Sequence, residues 1–115
     1  MSRQITVDAH GRQAKRRLLA PPNKAITPLE ILLHASADSK FVVQLWECRS
    51  AVELDFESYP VDEFVTIIAG EVVVERKDGP STTYRTGESF MLPKGMAGTW
   101  RQAGRIRKYS VCYLG

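Results

Sequence analysis

Two stretches decide how this chain reads: Asp62-Glu63-Phe64-Val65-Thr66-Ile67-Ile68-Ala69-Gly70 and, further on, Gly87-Glu88-Ser89-Phe90-Met91-Leu92-Pro93-Lys94-Gly95. The first is a run of β-branched and aromatic residues closed by a glycine, the pattern of a strand well inside a sheet. The second is a shorter apolar run held between a Thr86-Gly87-Glu88 turn and a Pro93-Lys94-Gly95 turn. Neither is long enough for an amphipathic helix, and both are bounded by residues that turn the chain.

Working outward, the same rhythm continues. Glu71 to Glu75 and Ser81 to Arg85 flank Lys77-Asp78-Gly79-Pro80, which is a hairpin signal. An acidic strand from Glu53 to Ser58 precedes a break at Pro60, and Gln102-Ala103-Gly104 separates the last two strands. Thr27-Pro28-Leu29-Glu30 carries helix-start residues, but Glu30 to Ala35 is short and Ala37-Asp38-Ser39-Lys40 turns it into Phe41 to Cys48, so a hairpin is predicted. The final run alternates, with Ile106, Lys108, Ser110, Cys112 and Leu114 on one face and Arg107, Tyr109, Val111 and Tyr113 on the other. Neither face is wholly polar, so cover on both sides is expected. Eight or more short antiparallel strands pack best as an all-β closed or double-sheet barrel, which removes exposed edges.

The chain has 115 residues, 43% hydrophobic and 25% charged, which fits one domain and excludes a disordered chain. No stretch approaches the ~20 apolar residues of a membrane span. Met1-Ser2-Arg3-Gln4 leads into no apolar signal core, so a cytoplasmic protein is expected. Cys48 and Cys112 lack the spacing of a metal knuckle or redox pair and read as buried free thiols. The net charge of +3 is uneven: residues 1–24 hold six Lys and Arg against Asp8 alone. These residues are expected to form a basic N-terminal arm ahead of a barrel domain over residues 25–115. No DNA-reading helix or aromatic platform accompanies the arm, so nucleic acid is not the expected partner. Six acids lie between Glu47 and Glu63, and five bases with no acid between Lys94 and Gly115. Folding is expected to bring these two segments together.

Glu63 and Gly70 with six residues between them, and Gly87, Pro93 and Gly95 in order after them, resemble the two motifs of the cupins. With Asp62-Glu63-Phe64, Leu92-Pro93-Lys94-Gly95, Gly98-Thr99-Trp100 and Arg107-Lys108-Tyr109, the chain is similar to the small single-domain cupins of the (S)-ureidoglycine aminohydrolase-like and ethanolamine-utilisation group. The resemblance implies a jelly-roll β-barrel with a pocket at one mouth, and a homodimer. It does not fix a reaction, because function belongs to the site.

A typical cupin aims two histidines and a glutamate from the first motif, and a third histidine from the second, at one cation. Here those positions fall on Glu57, Tyr59, Glu63 and Gly98, and the only histidines, His10 and His34, lie outside both motifs. No metal ligand set and no cofactor are therefore expected, beyond a weak hard-ion reading, such as Mn²⁺, at Glu57, Tyr59 and Glu63. Without a metal, Glu57 and Glu63 sharing a partly dry cavity would act as acid/base carboxylates. The competing reading has a base such as Lys94, Arg101, Arg107 or Lys108 neutralising them as a structural network. Trp100 and Tyr59 would line the cavity, and Lys94 at its mouth would meet an anionic ligand. The expected function is binding of a small polar metabolite, nitrogenous or sugar-derived, with hydrolysis or isomerisation open. The alternative is a non-catalytic sensor or interaction module working through the basic arm.

Overall fold

The computed structural model describes residues 28–115, so the basic arm, including His10, lies outside the described residues. Nine strands follow in order: β1 (Leu29–Ala35), β2 (Phe41–Cys48), β3 (Val52–Phe56), β4 (Asp62–Ala69), β5 (Glu71–Arg76), β6 (Ser81–Arg85), β7 (Ser89–Leu92), β8 (Gly98–Gln102) and β9 (Ile106–Tyr113). They form a five-stranded sheet, β1-β2-β9-β4-β7, and a four-stranded sheet, β3-β8-β5-β6. Every pairing is antiparallel. The result is the all-β double-sheet barrel that the turn spacing predicts. Among the described residues there is no helix, and none long and apolar enough to cross a membrane.

The β1–β2 hairpin shows why the helix-start signals lose. A helix of six residues cannot offset its nucleation cost, whereas the 36–40 turn closes through side chains. Ser36 Oγ donates to Asp38 Oδ1 at 2.7 Å, and Lys40 N–H donates to the same oxygen at 3.1 Å. These bonds hold the Asp38 carboxyl below its usual range. Register then runs from Leu29 opposite Glu47 to Ala35 opposite Val42, with one irregularity between Leu32 and His34.

Alternation sends one face of each inner strand into the core. Val65 and Ile67 of β4, Trp46 of β2, Trp100 of β8, Val72 and Val74 of β5, and Ile106 and Cys112 of β9 are buried there. Cys48 and Cys112 are both buried, and no disulfide joins them. Gly70 closes β4 at φ +92°, and a Cβ there would collide with the Arg105 carbonyl oxygen, so both conformation and space demand glycine.

The acidic and basic segments do meet. Arg101 on β8 pairs with Glu53 on β3 at 3.5 Å and with Glu75 on β5 at 3.2 Å. Glu47, buried at the end of β2, gathers Arg105 at 2.8 Å, Arg107 at 3.4 Å and Arg49 at 3.5 Å. The hydrogen bond from Arg105, then the charges of Arg105, Arg107 and Arg49, hold the Glu47 carboxyl below its usual range against the opposing effect of burial. Among the described residues, β9 buries one face and leaves the other partly exposed. Tyr109 and Tyr113 are exposed, and with Phe41, Phe64 and Met91 they give the five-stranded sheet an apolar outer surface.

Candidate functional site

Glu63, the second residue of β4, points between the sheets and is fully buried. A lone carboxylate there would cost several kcal/mol in lost hydration. Among the described residues, three donors meet it. Tyr59 Oη donates to Oε1 at 2.6 Å, while Lys108 Nζ at 2.9 Å and Ser110 Oγ at 2.5 Å both donate to Oε2. Lys108 and Ser110 sit two apart on the inward face of β9, beside β4. Tyr59 is set by its own backbone: its N–H donates to the Met96 carbonyl, and its carbonyl accepts from Gly95 N–H.

The ammonium of Lys108 meets aromatic faces as well as the carboxylate. Nζ lies 4.8 Å from the Trp46 ring centroid and 5.0 Å from that of Trp100, close enough for the ring quadrupoles to attract it. The two indoles meet edge to face at 6.3 Å. Trp100 Nε1–H donates to Gln102 Oε1 at 2.7 Å, and Gln102 Nε2 donates to the carbonyls of Ser50 at 2.9 Å and Gly104 at 3.0 Å. Tyr59, Glu63, Trp100 and Lys108 each have 0% of their surface exposed.

Beyond this sealed layer, at the end of the barrel where β3 and β5 finish and β8 begins, an open depression of about 850 Å³ is lined by Asp55, Glu57, Glu75, Arg76, Lys77 and Thr99. Thr99 Oγ1 donates to Asp55 at 2.7 Å, Arg101 to Glu75 at 3.2 Å, and Arg76 to the Met91 carbonyl at 3.2 Å. Glu57 is exposed and has no hydrogen bond or ion pair among the described residues.

The sequence profile of the EutQ-like cupin domain matches residues 35–109. The chain belongs to the EutQ-like cupin family. This cupin is similar in fold to the Clostridium difficile EutQ protein, at 19% identity and a TM-score of 0.66, covering 88% of this chain and 77% of that one. It is likewise similar to a cupin superfamily protein of Desulfitobacterium hafniense, at 17% identity and 0.63, covering 87% of each. A Rhizobium leguminosarum protein of unknown function matches 100% of this chain and 98% of its own, at 19% identity and 0.64. No curated protein matches.

The cupin's motif positions do not assemble a metal site. Tyr59 and Glu63 come together, but Glu57 stands at the surface. The expectation that Glu57 and Glu63 share a dry cavity is corrected on this point. Val52 and Phe56 of β3 point inward, so Glu57 falls on the outward phase, and the bend at 57–58 breaks the alternation that would carry it to Tyr59. The three oxygens of the hard-ion reading therefore do not converge. At Gly98 a Cβ would collide with the Glu75 carbonyl oxygen, so β8 and β5 approach too closely for an imidazole-bearing residue. His34 is exposed on β1, beside the Phe41 ring. Among the described residues, no three His, Cys, Asp or Glu side chains are placed to hold an ion.

Trp100 points inward but fills the space between the sheets, and its N–H is already used by Gln102. Lys94 is exposed, and its backbone N–H donates to Asp62 Oδ1 at 2.9 Å. Of the four bases weighed as neutralisers, Lys108 is the one at Glu63. Ser110 escapes sequence reasoning as a site residue, although its place on the apolar phase of β9 is the available signal. Asp55, Glu75, Arg76 and Lys77 are also missed, because strand-end loops assemble the depression from three distant segments.

Proposed function

We propose that this cupin binds a small polar metabolite bearing a cationic or N–H-rich group, and that the ligand seats at Glu57 in the open depression. The observation that carries this reading is a carboxylate with no protein partner among the described residues, on the wall of a depression of about 850 Å³. Ligand sites commonly occupy roughly 300–1,000 Å³ and rely on a few such polar groups. Arg76 and Lys77 on the same wall supply positive charge for a carboxylate on the same molecule, which suits a nitrogenous metabolite. Glu63 has no exposed surface through which to meet a substrate, so binding is supported ahead of acid/base turnover. A screen of amino acids, ureides and amino sugars by ligand-observed NMR tests it. A hit is expected to lose about tenfold in affinity on Glu57→Gln, the ~1.4 kcal/mol scale of one charge-assisted hydrogen bond. Equal binding by the variant removes Glu57 from the site.

The reading includes a homodimer. Its support is the apolar outer face of the five-stranded sheet, where Phe41 lies opposite Tyr113 and Phe64 opposite Met91. A contiguous face of this kind is what an interface requires.

A further inference from the structure

We propose that Lys108 is itself the cation of this barrel: its ammonium fills a cation site built from Glu63 and the faces of Trp46 and Trp100, in place of a bound metal ion. The inference is independent of where the metabolite binds.

The donor set argues for an ammonium and against a divalent ion. A metal needs lone pairs converging at about 2–2.5 Å from several oxygen, nitrogen or sulfur atoms. Among the described residues, Lys108 Nζ meets a carboxylate oxygen at 2.9 Å and two indole rings at 4.8 and 5.0 Å. Indole faces attract a cation through their quadrupole and offer no σ lone pair to coordinate it. Glu63 is also set for donors: Oε1 accepts from Tyr59, and Oε2 from both Lys108 and Ser110. A metal at Oε2 would have to expel a tethered amine that has no exposed surface.

The pattern has a positional logic. Glu63 keeps the motif glutamate and its negative charge, so the interior still requires a positive partner. With Glu57 turned outward and Gly98 unable to carry a side chain, that partner comes from β9. Trp46, directly opposite Lys108 on β2, and Trp100 from the other sheet then provide the walls. The charge at the centre of the barrel is thus encoded in the chain and does not depend on metal supply.

Truncating the lysine tests the site directly. Lys108→Ala removes a propylammonium-sized group and leaves Glu63 between two indoles, so added n-propylammonium is the probe. In urea unfolding, 100 mM n-propylammonium chloride is expected to raise the folding constant of Lys108→Ala about tenfold, the value for a Kd on the order of 10 mM. Equal n-propanol or NaCl is expected to do little, and the parent is expected not to respond. Rescue by n-propanol equal to that by the amine would overturn the proposal, since it would show only a filled void. Should Lys108→Ala fail to fold, Lys108→Met is compared with Glu63→Gln/Lys108→Met. Removing both charges is expected to restore at least tenfold of the folding constant lost by Lys108→Met alone. A double variant less stable than Lys108→Met would refute the pairing. In the parent, stoichiometric Mn²⁺ or Zn²⁺ binding that displaces Lys108, read by calorimetry and the ε-carbon NMR shift, would refute it as well.

Discussion

Replacing Trp100 by phenylalanine isolates what the indole does beyond filling space. The ring plane remains, but the Nε1–H that meets Gln102 Oε1 at 2.7 Å is lost. Gln102 cannot turn over to compensate, because its amide nitrogen is engaged with the Ser50 and Gly104 carbonyls. The stranded carbonyl oxygen costs about 1–3 kcal/mol. A side chain smaller by about 40 Å³ adds about 1 kcal/mol at ~24 cal/mol per Å³ of void. The weaker ring quadrupole facing Lys108 adds about 0.5–1 kcal/mol. The total, about 2.5–5 kcal/mol, is a large part of the ~5–15 kcal/mol by which domains are stable. Urea unfolding followed by circular dichroism should show the midpoint falling by about 2–5 M at an m of roughly 1–1.5 kcal/mol/M. A shift below about 0.5 M with m unchanged would refute the account of Trp100 as a structural member of the core, and would return it to the role of a cavity wall.

Gly98→His, which restores the missing motif histidine, is expected to destabilise the barrel by at least the ~1–3 kcal/mol of overpacking and to create no zinc site, as thermal melts with and without Zn²⁺ will show. Because the Glu47 carboxyl titrates below its usual range when folded, its contribution to stability is complete above the ordinary glutamate range and is lost as pH falls through the lower, folded value. Glu47→Gln should therefore flatten the fall in melting temperature between about pH 5 and 3, and an unchanged profile would show that the three arginines do not act through this carboxylate. Phe64→Glu places a charge in the apolar outer face and should shift the mass measured by light scattering from two chains to one; a parent already monomeric at micromolar concentration would dispose of the dimer.

The strands were legible because alternation and turns are local properties. The alternation of β9 can be read from Ile106, Lys108, Ser110 and Cys112, though not which of its faces turns inward, and the 77–80 turn from its own residues. Tyr59 and Glu63 meet because each adjoins a feature visible in sequence, the strand β4 and the Pro93-Lys94-Gly95 turn to which Tyr59 is tied. Glu57 was misplaced because counting by twos assumes a continuous strand, and a bend at 57–58 resets the phase. The identity of Glu63's partner was not legible either. Lys94, Arg101, Arg107 and Lys108 are equally basic on paper, and only the pairing of β9 with β4 selects the one on the inward face. The filled interior escaped prediction for a related reason. Trp46 and Trp100 are 54 residues apart in sequence, and their contact depends on how the sheets stack.

Gln102 has a dynamic consequence. One amide side chain reaches the backbone at Ser50, the backbone at Gly104 and the indole of Trp100, so two connections that would ordinarily fray independently are anchored to the deepest layer of the protein. Opening either one exposes the other and disturbs the aromatic floor. Amide protons in these loops should exchange with solvent chiefly through whole-molecule unfolding, whereas the 36–40 hairpin tip, tied beyond its own hairpin by the Leu114 N–H bond to the Lys40 carbonyl, should open in smaller local motions.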